Sequence, residues 1–139
     1  MKEFSFRLEQ VKRWRETEVS LQESRLAAAA AKVAEIRGAI EGRRGELDRA
    51  QLSGNIDGGD LRVYADFRLR TESRIRDLEG QAVAAQRAAA LEMGRLVEAN
   101  RKMKLIENLK KRALTAWTRE FERELAAFAD EAFLNRYNH

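Results

Sequence analysis

One short stretch, Ser53-Gly54-Asn55-Ile56-Asp57-Gly58-Gly59 (SGNIDGG), gathers the strongest helix breakers of a sequence that has no proline, with about fifty residues before it and about eighty after. Glycine has backbone freedom that a helix interior penalises. A chain that confines its breakers to one place is therefore expected to fold as two long helices joined there, with the hinge at 53–59 and Asp60 as N-cap of the second helix. The expected bounds are about 3–52 for the first helix and about 60–135 for the second, in one domain covering 1–139.

Hydrophobic spacing supports two helices that meet along a seam. From Leu26, alternating steps of three and four give Leu26, Ala29, Val33, Ile36, Ile40, Arg43, Leu47 and Ala50, of which only Arg43 is not apolar. After the hinge the same stepping runs through Ile75, Leu78, Ala82, Ala85, Ala89, Glu92, Leu96, Ala99, Met103, Ile106 and Lys110. Apolar residues every 3.5 positions make one stripe on a helix. Farther on, a heavier stripe with shifted phase passes Leu114, Trp117, Phe121, Leu125, Phe128 and Ala132. Upstream, Phe4, Leu8, Val11, Trp14, Val19 and Leu21 share no single phase, which predicts a stutter between about Arg15 and Val19. The expected fold class is all-α: two long helices in an antiparallel coiled-coil hairpin. At about 1.5 Å of rise per residue, fifty helical residues would make an arm on the order of 75 Å.

Finer expectations follow. Alanine-rich stretches at 27–31 and 82–90 lie about equally far from the hinge. Matching them places position i opposite roughly 115 minus i, so that Val11 lies near Lys104 and the second helix overhangs the N-terminus by some twenty-five residues. Six acid-before-base pairs at four-residue spacing (Glu3/Arg7, Glu9/Arg13, Asp66/Arg70, Glu72/Arg76, Glu98/Lys102 and Glu107/Lys111) suit helices, each contributing about 0.2–0.5 kcal/mol. Gly38, Gly42, Gly45, Gly80 and Gly94 each cost roughly 1 kcal/mol relative to Ala within a helix. They predict bending or fraying over 38–45 and an end to a short helix at Gly80.

Charge and chemistry narrow the function. The chain is 36% charged and 7% aromatic, with formal net charge +4, no cysteine and one histidine, His139. The absence of cysteine excludes disulfides and thiolate metal sites and is compatible with a reducing cytoplasm. The opening MKEFSFRLEQVKRWRE lacks the apolar run of a secretory signal, and nothing approaches eighteen consecutive apolar residues. None of the phosphate-loop, dinucleotide, zincin or CxxC motifs occurs, and GNIDGGD lacks the ligand spacing of an EF-hand. A non-enzyme with no metal and no cofactor is expected.

Lys12, Arg13 and Arg15 on the first helix and Arg101, Lys102, Lys104, Lys110, Lys111 and Arg112 on the second fall at one level of the hairpin, forming a basic collar. Basic residues interleaved with acids, without an aromatic platform, fit an acidic protein surface better than nucleic acid. Of the aromatic residues near the termini, Trp14, Trp117, Phe121, Phe128, Phe133 and Tyr137, the pair Trp117 and Phe121 is expected to pack in the core. Phe128, Phe133 and Tyr137 have no first-helix partner on this register and would form an exposed strip, usually a binding surface.

The opening FSFRLEQVKRWRETE, with its Phe-x-Phe-Arg-Leu and basic-aromatic run, and NRKMKLIENLKKRALTAWTREFERELAAFADEA, with its basic pair, Glu107, Leu109, Arg112 and Asp130-Glu131, resemble the flagellar export protein FliJ family. The resemblance covers nearly the whole chain. It implies an antiparallel coiled coil similar in shape to the central stalk of rotary ATPases. It further implies partners: a hexameric ring ATPase at the cytoplasmic base of the flagellar export apparatus, the cytoplasmic part of the export gate membrane protein, and empty export chaperones. Carried onto this sequence, Arg7, Arg13, Arg101, Lys102, Lys104, Glu107 and Arg112 would contact the ring, and Tyr64 and Phe67 the gate or chaperones. A cytoplasmic monomer at the inner face of the inner membrane, without nucleic acid, is the expectation. The alternatives are the equivalent stalk of a virulence-type secretion system, a free coiled-coil adaptor or nucleic-acid-binding arm, and a homodimer that satisfies its seam between chains.

Overall fold

The computed structural model describes residues 2–52 and 58–138. Two helices, α1 (Glu9–Leu52) and α2 (Gly58–Tyr137), account for nearly all of them, and they pack against each other as an all-α helical hairpin. Residues 53–57 of the expected hinge lie outside the described residues. Its last two, Gly58 and Gly59, open α2, so Asp60 sits in the first helical turn and not at the N-cap. A carboxylate is equally favourable there, because the unpaired N–H groups and the macrodipole of the first turn attract negative charge.

The first helix begins later than expected, at Glu9 rather than about residue 3. A turn in which the Glu9 N–H donates to the Phe6 carbonyl (3.1 Å) leads into it, and the Lys12 N–H to Leu8 bond (2.9 Å) is its first α-type link. Phe4 and Phe6 explain the delay, because both are half-buried; the non-helical lead lays aromatic surface on α2 that a solvated first turn would expose.

The chain divides into two compact units, 21–96 and 1–20 with 97–139. In the 21–96 unit, Ile36, Ile40, Ile75, Leu78 and Ala82 form the buried core, with Leu47 and Ala85 against it. Each large aliphatic buried there contributes roughly 1.5–3 kcal/mol. The α2 seam follows the predicted stepping from Ile75 through Leu96, and Tyr64, Phe67 and Thr71 extend it upstream. On α1 the expected Arg43 is exposed, while Gly45, Glu46 and Leu47 are half-buried. The helices run through Gly38, Gly42, Gly45 and Gly80 without a break. At each of them a Cβ would meet nothing within 4 Å; burial of neighbouring seam residues outweighs their cost. Polar residues also occupy the seam, Gln22 and Glu92 among them, and Gln22 Oε1 and Glu92 Oε2 are buried with no hydrogen-bond partner among the described residues.

In the 1–20 and 97–139 unit, the half-buried steps are Leu8, just before α1, and Lys12, Arg15 and Val19 on it, whereas Val11 and Trp14 are exposed. No stutter is needed. The heptad runs on in one phase but is filled by charged residues, whose aliphatic stems cover apolar surface while their heads reach out to Glu16 (2.7 Å from Lys12) and Glu18 (2.9 Å from Arg15). On α2 the sequence Lys110, Ala113, Trp117, Phe121 carries the seam, with Leu114 exposed and two successive steps of four.

Registers differ from the alanine match by about one turn. Glu9 meets Lys110 at 2.9 Å, and Trp117 Nε1 donates to the Lys2 carbonyl at 3.2 Å, so here position i faces roughly 119 minus i. Within the other unit, Ala30, Val33, Ala34 and Arg37 share a groove with Gln86 and Ala89, so the alanine stretches do lie alongside each other, slid by a turn. A seam that repeats every 3.5 residues keeps the same faces together after such a slip, and symmetry about the hinge cannot detect it. The overhang shrinks accordingly: beyond Phe121 every described residue is exposed.

None of the six predicted four-residue pairs forms an ion pair among the described residues. The pairs observed include Glu41–Arg44, Glu92–Arg95, Glu98–Arg101 and Arg68–Glu72. Exposed pairs differ by only tenths of a kcal/mol, so reach and local packing select among them.

Candidate functional site

The 1–20 and 97–139 unit carries most of the residues predicted to contact a partner, and an aromatic group fixes its geometry. The Phe4 ring meets Trp117 edge-on with centroids 6.0 Å apart, and Trp117 stacks on Phe121 at 5.3 Å with planes 6° apart. Aromatic contacts of this kind add about 0.5–1.5 kcal/mol beyond area burial. Trp117 and Phe121 are half-buried in this ring contact and do not belong to the buried core, and the non-helical N-terminal lead is anchored to α2.

Beside this group, Lys110 joins two clefts. One, of about 370 Å³, is lined by Phe4, Ser5, Phe6, Glu9, Arg13 and Lys110. The other, of about 420 Å³, is lined by Lys12, Glu107, Lys110, Lys111 and Leu114. Arg13 and Glu107 of the predicted set are thus brought to the Lys110 position. Arg101 is held by Glu98 at 3.4 Å. Arg7, Lys104 and Arg112 are exposed and Lys102 is half-buried, none of them lining either cleft. Among the described residues, Arg7, Arg13, Lys102, Lys104, Lys111 and Arg112 meet no carboxylate, whereas Lys12, Arg15 and Lys110 are neutralised by Glu16, Glu18 and Glu9. The collar therefore presents fewer free cations than its composition suggests.

Electrostatics here favour charged forms. The Glu9 carboxyl is held below its ordinary value chiefly by the hydrogen bond from Lys110, with the charges of Lys110, Lys12 and Arg13 adding to it and burial opposing. Lys12 is raised, first by its hydrogen bond to Glu16. Both shifts move the groups away from neutrality, the opposite of what a general base or acid working near pH 7 requires. Glu9 and Lys12 are thus held in their charged forms.

Past Phe121, α2 continues as a helix whose side chains are exposed on every face. Phe128, Phe133 and Tyr137 are 71%, 67% and 81% exposed, as the overhang predicts, and Phe133 stacks on Tyr137 at 6.2 Å. Tyr64 and Phe67 belong to the other unit and are half-buried in its seam. Sequence reasoning overlooked Lys110 as the cross-helix partner of Glu9, although a lysine at a seam position was a visible signal. It also overlooked Phe4, whose contact with Trp117 depends on a lead that is not helical.

With that geometry in view, comparison with known families is decisive: the family profile described as "Flagellar FliJ protein" matches residues 4–139. The chain belongs to the FliJ family. No curated protein and no solved structure was found to match it. Among the described residues of this FliJ-family chain, no helix is long and apolar enough to cross a membrane.

Proposed function

We propose that this FliJ-family protein is a non-catalytic stalk component of the flagellar protein export apparatus, and that its terminal unit engages the hexameric export ATPase. The observation that carries the reading is the family match across 4–139. Support comes from a terminal unit that combines an aromatic anchor, unpaired basic residues and a single-helix extension with exposed rings. Arg7, Arg13, Lys102, Lys104 and Arg112 supply charge for an acidic surface, with Arg101 and Glu107 at its edge. Fixed charges of this kind set orientation and on-rate more than affinity, while Phe128, Phe133 and Tyr137 supply the apolar area. Tyr64 and Phe67, at the seam of the other unit, are the residues proposed for the export gate or the chaperones. The site of action is the cytoplasmic face of the inner membrane.

The test is to add purified protein to the export ATPase and follow hexamer assembly and turnover, with a charge-reversed R101E/K102E/K104E variant alongside. Increased assembly and hydrolysis that the variant loses by tenfold or more is the expected result. Unchanged turnover together with salt-dependent retention of RNA or DNA would overturn the reading in favour of a nucleic-acid-binding arm.

A further inference from the structure

The 21–96 unit contains a second cationic feature, unrelated to the collar. Arg70 and Arg74 stand four residues apart on α2, one helical turn, and Arg43 stands across from them on α1. Together with Phe67 and Thr71 they line a cleft of about 370 Å³. Among the described residues Thr71 is the one buried polar residue, at 5% exposure, and it brings a hydroxyl group to the cleft lined by the three arginines. Phe67 is half-buried beside it.

The charges facing this cleft do not cancel. Several nearby acids are engaged elsewhere: Glu72 with Arg68 at 2.9 Å, Glu41 and Glu79 with Arg44 at 3.3 and 3.1 Å. Glu46 pairs with Arg43 at 3.4 Å, which leaves Arg70 and Arg74 as the cations to be accounted for. Asp66 contributes its backbone carbonyl, which accepts from Arg70 Nε at 3.4 Å. Among the described residues, neither Arg70 nor Arg74 meets a carboxylate. Like charges four residues apart on a helix repel.

We propose that this cleft binds a phosphate group. Planar guanidinium forks match phosphate oxygens in pairs, and two unpaired arginines with a third close by suit a doubly charged group better than a single carboxylate. Thr71 adds a hydroxyl donor, and the Phe67 ring gives the carrier of the phosphate an apolar wall. The same chemistry is offered by a soluble phosphate compound and by a phospholipid headgroup.

The experiment uses the full chain. Inorganic phosphate and pyrophosphate are titrated by calorimetry at constant ionic strength, and flotation is measured with phosphatidylcholine vesicles with and without phosphatidic acid. Saturable binding in either arm is expected, and it names the source. R70Q/R74Q should weaken it at least tenfold, R70K/R74K should weaken it less, and R123Q, on the exposed end of α2, should leave it unchanged. Because the exchanged arginines are exposed, melting temperatures should match; if R70Q/R74Q melts early, R43Q and T71V replace it as the deciding variants. No saturable binding in either arm, equal binding by R70Q/R74Q, or equal binding of citrate would overturn the assignment. None of these outcomes depends on the export ATPase.

Discussion

Lys110 holds Glu9 across the helix pair with Nζ 2.9 Å from the carboxylate, and this contact has a pH signature. The Glu9 pKa is lowered from 4.5 by that hydrogen bond first. A depressed carboxyl contributes stability that is present above its unfolded pKa and lost as pH falls through the lower folded value. Glu9→Gln should therefore melt below the parent at pH 7, and the difference should vanish in acid below the folded pKa; melts between pH 2 and 8 monitored by circular dichroism check this. A difference independent of pH would mean that packing, not charge, is involved. Glu92 makes the opposite case. One of its oxygens is buried without a partner among the described residues, and such an acceptor costs about 1–3 kcal/mol. Glu92→Leu should stabilise the protein by roughly 1 kcal/mol in urea unfolding, since it fills a seam position with an apolar group.

At the scale of the element, α2 has two kinds of sequence within one helix. From Tyr64 to Phe121 it carries a seam against α1 or the N-terminal lead, whereas from 122 to 137 its side chains are exposed. An isolated helix of that length is marginal in water, so the final turns add little to the packed structure. Truncation after Phe121 should leave the unfolding free energy within about 0.5 kcal/mol of the parent, measured in urea, and should abolish stimulation of the ATPase. A large loss of stability would mean that the extension packs in solution. In α1, the seam hosts Lys12, Arg15 and Gln22 while Val11, Trp14 and Leu21 are 38%, 58% and 49% exposed. Hydrophobic pattern alone reads that face backwards, because a seam position is defined by what lies opposite, and a long cationic stem can fill it.

For the whole molecule, the hairpin satisfies the seam within one chain, so no second copy is needed to cover it. Sedimentation equilibrium should give a single species at the monomer mass of 16.0 kDa; a persistent dimer would require the seam to be shared between chains. Breaker placement and the three-four stepping from Ile75 to Lys110 were enough to determine an all-α hairpin. These are local signals, since helix propensity and periodicity act within a few turns. Three-dimensional packing alone decided the register, the late start of α1, the continuity of the heptad through charged residues, and the meeting of Arg43 with Arg70 and Arg74. Each of these depends on contacts between residues far apart in sequence, whose energies differ by no more than a slip of one turn can change, and a repeating seam does not encode that choice locally.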